Sequence, residues 1–344
     1  MSDTVARITI ADIARRAGVS TGAVSYALNN RPGVSRETRE RILAVASELG
    51  WQPSSAARSL SGAKTETVGL VLARDPSTLG VESFYMQFIA GIESELEKRS
   101  YGLLLQVVPT LEVELATYRT WRAARRVDGV VCVDPRVDDP RVALLAEPDA
   151  LPVVVVGDPT LANGLMNVWT DDAAAIRQSV RYLHAVGHRR IARVAGVEGF
   201  GHTLIRDGAF RDETERLGVE GVVVRTDYTP DQGAAATRSL LTAGADRPTA
   251  FIYDNDVMAL AGLGVASELG VRVPDDLSII AWDDSPLCEA TYPRLSALSH
   301  DVTRYGAHVA RRLFDVIDGQ PKASFLDSTP VLRPRGTTAP VPAK

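Results

Sequence analysis

Residues 8–29, ITIADIARRAGVSTGAVSYALN, have the pattern of two short helices joined by a tight turn. Thr9 is a suitable N-cap for the first helix, and Gly18 stands where glycine commonly ends one. Ser20 is a suitable N-cap for the second helix. Apolar residues recur at helical spacing in both halves: Ile10, Ile13, Ala14 and Ala17, then Ala23, Val24, Ala27 and Leu28. Two such helices with a glycine-containing turn predict a helix-turn-helix unit.

A third helix and a weakly structured segment follow this unit. Ser35 is a suitable cap for a helix that ends at Gly50, so residues 1–50 are predicted to form a helix-turn-helix domain. In residues 51–64, Pro53 breaks the helical pattern, and the following SSAARSLSG is short and only weakly amphipathic. Because a helix of this length is marginal in isolation, we predict a hinge helix that orders only when its surroundings supply contacts.

From Thr67 onward, apolar strands alternate with amphipathic helices in two successive sets. This alternation indicates parallel sheets covered by helices on both faces. The predicted fold class is therefore α/β, with a two-lobed core of doubly wound parallel sheets over residues 65–344. The first lobe is placed at about 65–165 and 300–324, and the second at about 166–299 and 325–344. Ligands in such folds bind beyond the carboxyl ends of the strands, so we expect a site between the lobes.

Composition and charge narrow the class of protein. The chain has 344 residues, 45% of them hydrophobic, and a formal net charge of -5. No apolar run is long enough to span a bilayer and no secretory signal is recognisable, so we expect a cytoplasmic protein with no membrane partner. The two cysteines, Cys132 and Cys288, have no partner spacing for a disulfide scaffold or a zinc site. Residues 1–63 carry eight arginines and five acids, and this basic head on an acidic body favours a polyanionic partner.

Motifs for catalysis and cofactor binding are incomplete. Residues 18–22, GVSTG, match a nucleophile elbow, but a helix precedes the serine where that chemistry needs a strand. His184 and His188 have zinc-helix spacing, yet Ala185 replaces the glutamate base, so structural roles are expected. The glycines of residues 196–201 fit no dinucleotide fingerprint, and no phosphate-binding loop is present. We therefore expect no enzyme activity, no cofactor and no metal.

Short sequence blocks along nearly the whole chain form a recognisable series. In the head they are 8–14 (ITIADIA), 17–20 (AGVS), 24–29 (VSYALN), 34–35 (VS) and 38–40 (TRE). In the hinge they are 51–53 (WQP) and 57–60 (ARSL). In the core they are 128–130 (DGV), 152–154 (PVV), 187–191 (GHRRI), 254–260 (DNDVMAL), 273–278 (VPDDLS), 282–284 (WDD) and 293–295 (PRL). These blocks are similar to those of the lactose/galactose-repressor (LacI/GalR) family, in its order and at its spacing.

This resemblance implies a sequence-specific transcriptional regulator, a repressor that binds palindromic operator DNA as a homodimer. In the family the second helix enters the major groove, and a hinge leucine that matches Leu60 is inserted into the minor groove. Two departures affect the operator sequence: the family often has arginine where Tyr26 stands, and Gly22 has no side chain to read a base. The residues expected at DNA are Thr9, Ser20, Thr21, Gly22, Ser25, Tyr26 and Asn29 of the head and Ala57, Arg58 and Leu60 of the hinge.

The resemblance also implies periplasmic-binding-protein-like lobes that hold a small effector, for which a sugar is the expected class. Arginine, carboxylate and aromatic side chains together suit a neutral polyol, because they supply hydrogen bonds and an apolar ring surface. Effector contacts are expected from Arg206, Tyr228, Asn255 and Asp283 of the second lobe and from Ala73, Arg74 and Phe84 of the first. A periplasmic-type ligand-binding protein without DNA binding is the alternative class, but it would need a signal peptide and no basic head. A two-lobed oxidoreductase or kinase would need a phosphate-binding loop, which the sequence lacks. The remaining alternative is an interaction module that does not bind DNA.

Overall fold

The computed structural model describes residues 8–28, 31–51, 64–74 and 83–341. The chain divides into two compact units, Met1–Thr65 and Glu66–Lys344. We call them the head and the core. Within the described residues, no helix is both long and apolar enough to cross a membrane.

The head contains three helices: α1 (Ile10–Ala17), α2 (Thr21–Leu28) and α3 (Arg36–Glu48). Thr9 caps α1 in a capping box with Asp12, and the left-handed Gly18 ends it. The Ser20 hydroxyl accepts a hydrogen bond from the backbone N–H of Ala23 at 3.2 Å. Ser35 caps α3 in the same way through Thr38. The helix-turn-helix predicted from these caps is confirmed.

The core of the head is small because only short apolar stripes meet at its centre. Ile13, Val24 and Ile42, one from each helix, have no exposed surface. The other buried residues of this cluster are four alanines, which have small side chains. Partly buried residues such as Val45 and Trp51 complete the packing. Burying one face of α2 in this way leaves its opposite face at the surface.

The first lobe of the core is built on a six-stranded parallel sheet in the order β11-β5-β4-β3-β1-β2. Its strands are β1 (Thr67–Ala73), β2 (Gly102–Val108), β3 (Gly129–Cys132), β4 (Val153–Val156), β5 (Asn167–Thr170) and β11 (Ser324–Ser328). Its helices are α4 (Ser83–Leu96), α5 (Leu111–Ala123), α6 (Pro140–Leu145) and α12 (Val302–Ile317), with 3₁₀ turns at Glu97–Arg99 and Pro159–Leu161.

The second lobe has a six-stranded sheet in the order β12-β10-β9-β8-β6-β7, in which only β12 is antiparallel. Its strands are β6 (Arg190–Ala195), β7 (Glu220–Arg225), β8 (Ala250–Tyr253), β9 (Ser278–Trp282), β10 (Ser296–Ser299) and β12 (Val331–Arg333). Its helices are α7 (Asp172–Ala185), α8 (Gly201–Leu217), α9 (Pro230–Leu241), α10 (Asp256–Glu268) and α11 (Pro286–Ala290), with a 3₁₀ turn at Gly244–Asp246.

The strand pairing corrects the lobe boundaries that the sequence predicted. The stretch Asn167–Thr170 pairs with β4 and Ser324–Ser328 pairs with β5, so both belong to the first lobe. The boundaries predicted from the sequence assign residues 166–170 and 325–328 to the second lobe. Both strands are short, and β11 (SFLDS) has no apolar alternation that would mark it as a strand. The chain therefore crosses between lobes at about residues 171, 300 and 330.

Candidate functional site

One face of α2 is the candidate DNA-contacting surface of the head. Thr21 and Gly22 are exposed and Ser25 is partly buried. Tyr26 is 45% exposed, and its ring lies against Gly33, where a Cβ would come within 3.2 Å of Cδ2. Ser20 and Thr9 are also at the surface, although each already caps a helix. Asn29, Ala57, Arg58 and Leu60 lie outside the described residues.

The two lobes of the core enclose a cleft at the carboxyl ends of both sheets. Its empty volume is about 880 Å³, including the space at its mouth. Parallel strands place their following residues at one edge of the sheet, which is why polar side chains from distant parts of the chain meet here. The lining includes Arg74, Phe84, Tyr85, Asp134, Asp158, Thr170, Asp172, His202, Arg206, Tyr228, Asp254, Asn255, Trp282, Asp283, His300 and Tyr305.

In the first lobe, a guanidinium and a carboxylate form the wall of the cleft. Arg74 Nη2 donates to Asp134 Oδ2 at 2.8 Å, and the Tyr85 hydroxyl donates to the same oxygen at 2.6 Å. The Arg74 guanidinium carbon also lies 4.6 Å from the ring centroid of Phe200. A charge held between a carboxylate and an aromatic face is fixed in position.

The second lobe repeats this arrangement. Arg206 Nε donates to Asp172 Oδ2 at 2.8 Å, and its guanidinium carbon lies 3.4 Å from the Trp282 ring centroid. Behind it, Asp254 accepts hydrogen bonds from the buried Arg193 and from the Gly196 N–H. Arg206 Nη1 approaches Asp254 Oδ2 at 4.0 Å.

Tyr228 is held by the turn that carries it and by its neighbours. Its φ of 72° lies in the left-handed region, and Gly196 leaves room for its ring. His202 Nε2 and the Thr203 hydroxyl lie 2.8 Å and 3.2 Å from the Tyr228 hydroxyl. The Asn255 amide donates to the Tyr228 carbonyl at 3.0 Å, while its Oδ1 caps α10 through Met258. Tyr228 and Asn255 therefore act as one unit.

The charge states in the cleft follow from burial and pairing. Burial opposes the ionisation of Asp134, but Arg74, His202 and the Tyr85 hydrogen bond together outweigh it, so the pKa of that carboxyl lies well below its usual range. Burial likewise opposes the charge of Arg206, but Asp172 and Asp254 raise its pKa above the usual value. Burial lowers the pKa of His202 to about 4 and also lowers the pKa of His300. At neutral pH the cleft holds ionised carboxylates and guanidiniums beside neutral imidazoles.

Six of the seven side chains expected at the effector line the cleft: Arg74, Phe84, Arg206, Tyr228, Asn255 and Asp283. Ala73 is the exception. Successive strand residues face opposite sides of a sheet, so Ala73 packs against the cluster that contains Val71 and Trp121, away from Arg74.

Sequence reasoning missed several residues that complete the site. Asp134, Asp254 and His300 each closely follow a strand, and Trp282 ends one. Their position after an apolar run was a usable signal, because ligands bind at the carboxyl ends of parallel strands. Tyr85, Asp172 and His202 had no such signal, since each lies at the start of a helix.

Known proteins resemble this chain along nearly its whole length. A family model described as bacterial regulatory proteins, lacI family, matches residues 9–54, and one described as a periplasmic binding protein-like domain matches residues 180–338. The transcriptional regulator CelR of Thermobifida fusca is 32% identical over 91% of this chain and 93% of its own length. Catabolite control protein A of Priestia megaterium is 32% identical over 89% of this chain and 91% of its own length. CelR is named as a helix-turn-helix transcriptional regulator, and neither relative is named as an enzyme.

Solved structures also resemble this chain over most of its length. A LacI family regulator from Bifidobacterium animalis subsp. lactis is 40% identical, with a TM-score of 0.75, over 81% of this chain and all of its own. The lac repressor dimer bound to operator and the anti-inducer ONPF is 26% identical, with a TM-score of 0.83, over 97% of this chain and 99% of its own. A CelR–cellobiose complex is 29% identical, with a TM-score of 0.73, over 96% of this chain and all of its own. With its helix-turn-helix head and its two-lobed α/β core, the chain belongs to the LacI family of bacterial transcriptional regulators.

Proposed function

We propose that the chain is a repressor that binds a palindromic operator as a homodimer and is controlled by a sugar in the cleft. It would act in the cytoplasm, where chromosomal DNA is accessible. The observation that carries the proposal is the presence, in one chain, of an exposed α2 face and a cleft with paired arginines, carboxylates and aromatic rings. A ligand-binding protein without DNA binding would have no use for the head.

The head supports the DNA part of the proposal. Val24 and Ala27 are buried, which turns Thr21 and Tyr26 of the same helix toward solvent. The N-terminal end of α2 can approach phosphates while these side chains reach base edges in the major groove. The lac repressor that resembles this chain was solved as a dimer on its operator.

The cleft supports the effector part. Hydroxyl groups of a sugar need donors and acceptors, and its apolar ring faces need aromatic surface. Arg206, Asn255 and Asp283 supply the polar groups, and Trp282 and Phe84 supply the rings. CelR, which this chain resembles, was solved with cellobiose.

Fluorescence anisotropy with duplexes from the gene's own upstream region tests the proposal. We expect tight binding to one palindromic site, a steep fall in affinity with salt because bound counterions are released, and a shift in affinity when sugars are added. Tyr26→Ala should reduce the preference for the specific site at least tenfold while leaving the salt dependence unchanged. Leu43→Ala, which truncates another half-exposed apolar residue of the head, is the control. A full-length protein with equal, weak affinity for every duplex would contradict the proposal.

A further inference from the structure

The two arginines that line the cleft share one arrangement. Arg74 is bonded to Asp134 and faces the Phe200 ring, and Arg206 is bonded to Asp172 and faces the Trp282 ring. Each guanidinium has five N–H donors, of which the carboxylate engages only part. Such an arginine can donate hydrogen bonds to a ligand, but its positive charge is already balanced.

Carboxylates outnumber cations around the empty space. Five aspartates line the cleft against two arginines, and a third guanidinium, that of the buried Arg193, is paired with one of these aspartates from behind. The five are Asp134, Asp158, Asp172, Asp254 and Asp283. An anion placed among them would be repelled, and its lost hydration would not be recovered from a free cation. The lining of described residues is thus electrostatically unsuited to a phosphate or a carboxylate.

Helix N-termini, which commonly bind anions, are already occupied here by carboxylates. Asp172 lies in the first turn of α7, and Asp256 lies in the first turn of α10. The start of α8 faces Asp134, whose Oδ1 lies 3.8 Å from His202 Nδ1. The positive ends of these three helices are therefore compensated by carboxylates of the protein itself.

The remaining polar groups suit an uncharged ligand. His300 lines the cleft, and within the described residues its buried Nδ1 meets no hydrogen-bond partner. His202 and His300 are neutral at physiological pH because burial lowers the pKa of both. A neutral imidazole can exchange a hydrogen bond with a hydroxyl group but adds no charge to hold an anion.

We infer that the cleft accepts an uncharged sugar and rejects the phosphorylated or carboxylated form of the same sugar. This inference rests on the proposed function, because it takes the cleft to be the effector site. It goes further by stating the charge of the effector, and it assigns the selection to Asp172 and Asp134, which neutralise the two arginines.

Isothermal titration calorimetry on the full-length protein tests the inference with matched pairs of probes. The pairs are glucose and glucose 6-phosphate, galactose and galactose 6-phosphate, and cellobiose and cellobiose 6-phosphate, with glucuronate as the carboxylated probe. We expect at least one neutral sugar to bind, and its charged counterpart to bind at least tenfold more weakly. A charged form that binds as tightly as its neutral partner, or a panel in which no neutral sugar binds, overturns the inference.

Asp172→Asn probes the cause of the selection. The amide preserves the acceptor for the Thr170 hydroxyl but removes the charge that balances Arg206. We expect the ratio of neutral to phosphorylated affinity to fall at least fivefold. Asp171→Asn is the matched control, because it makes the same charge change one residue earlier and asparagine still caps α7; its ratio should stay within twofold of wild type. An unchanged ratio in Asp172→Asn would contradict the assignment, and the wild-type panel decides the inference even where that variant folds poorly.

Affinity for the operator is measured separately, by fluorescence anisotropy in the absence of sugar. A protein that binds its operator but prefers a phosphorylated sugar keeps the proposed function and loses this inference. A protein that binds a neutral sugar selectively but no duplex keeps this inference and loses the DNA part of the proposal.

Discussion

Gly196 follows β6 and leaves the space that the Tyr228 ring occupies. A Cβ at this position would lie 1.9 Å from Tyr228 Cζ, so Gly196→Ala must displace the ring. Displacement breaks the contacts of the Tyr228 hydroxyl with His202 and Thr203. We expect affinity for the sugar to fall at least tenfold, and the overpacking to cost about 1–3 kcal/mol of stability. Calorimetric titration and thermal unfolding measure the two effects.

Gly264→Ala is the control for this substitution. Gly264 lies in α10 with no heavy atom within 4 Å of an added Cβ, so alanine should stabilise the protein by about 0.5–1 kcal/mol. Sugar affinity should not change. If Gly196→Ala bound sugar as wild type does, Tyr228 would have no part in the site.

The sequence could predict site residues only where a local pattern or a family resemblance marked them. Arg206, Tyr228 and Asp283, marked in this way, line the cleft. Asp134 carried the signal of its position after a strand, whereas His202 carried none, because its place in the cleft depends on the approach of two lobes that are far apart in sequence. Ala73 lies on the other side of the sheet from the cleft, because successive strand residues face opposite sides.

His188 links the amino ends of three strands, β6, β8 and β9. His188, which is 3% exposed, lies 2.8 Å from the Thr249 hydroxyl before β8 and 3.0 Å from the Ser278 hydroxyl in β9. Both ring nitrogens are thus in hydrogen bonds, which confirms the structural role expected from the sequence.

This histidine makes stability depend on pH. Burial lowers the pKa of His188 from 6.5 to about 4, so between these values the unfolded chain binds a proton that the folded chain does not. The free energy of unfolding must therefore fall as pH decreases from about 7 to 4. One pKa unit is worth about 1.4 kcal/mol, and the contribution of His188 is about 3 kcal/mol. Urea unfolding at pH 7.5 and 4.5 should show a smaller loss for His188→Gln; an equal loss in both proteins would contradict this account.

The edge strand β2 presents two exposed apolar side chains, whereas β7, the corresponding edge of the second sheet, presents one. Leu105 and Val107 of β2 are 44% and 39% exposed. Val223 of β7 is 41% exposed, and the charged Arg225 is exposed two residues further along the same strand. Charged residues protect a sheet edge from pairing, and apolar ones invite it. We expect Leu105→Glu to shift the proposed dimer toward monomer by at least tenfold in its dissociation constant, measured by analytical ultracentrifugation. Val223→Glu is the matched control. If the Leu105→Glu protein remains dimeric at the concentrations at which the wild type is dimeric, β2 does not belong to the interface.

Helix caps and apolar strands were predictable because their signals are local. Thr9, Ser20 and Ser35 each supply a hydroxyl three residues before the N–H that it accepts from. β5, β10, β11 and β12 are not among the strands that the sequence predicts, because short strands with few apolar residues are defined by their pairing partners, which lie far along the chain. The error in the lobe boundaries follows from β5 and β11, since both belong to the sheet of the first lobe.

The two lobes of the core are in contact at one side of the cleft. The Gly201 N–H at the start of α8 donates to the Pro135 carbonyl at 2.8 Å, and Arg136 and Phe200 form a bridge beside it. The Arg136 guanidinium carbon lies 5.2 Å from the Phe200 ring centroid. We call these four residues the interlobe contact. A ligand that favours one lobe arrangement shifts the population toward it, so this contact bears on regulation.

Gly201→Ala is expected to open the interlobe contact. The added Cβ would lie 2.8 Å from the Pro135 carbonyl oxygen and 2.1 Å from Leu161 Cδ1; the leucine can rotate, but the carbonyl belongs to the backbone of the opposite lobe. The lobes must then separate, so we expect a larger radius of gyration by small-angle X-ray scattering and at least tenfold weaker sugar binding. Gly208→Ala, on the same helix with nothing within 4 Å of the new methyl group, should change neither. Because the proposed sugar would contact both lobes in the cleft, saturating sugar should restore the compact scattering profile of Gly201→Ala. A variant that scatters and binds as wild type would show that the contact does not hold the lobes together.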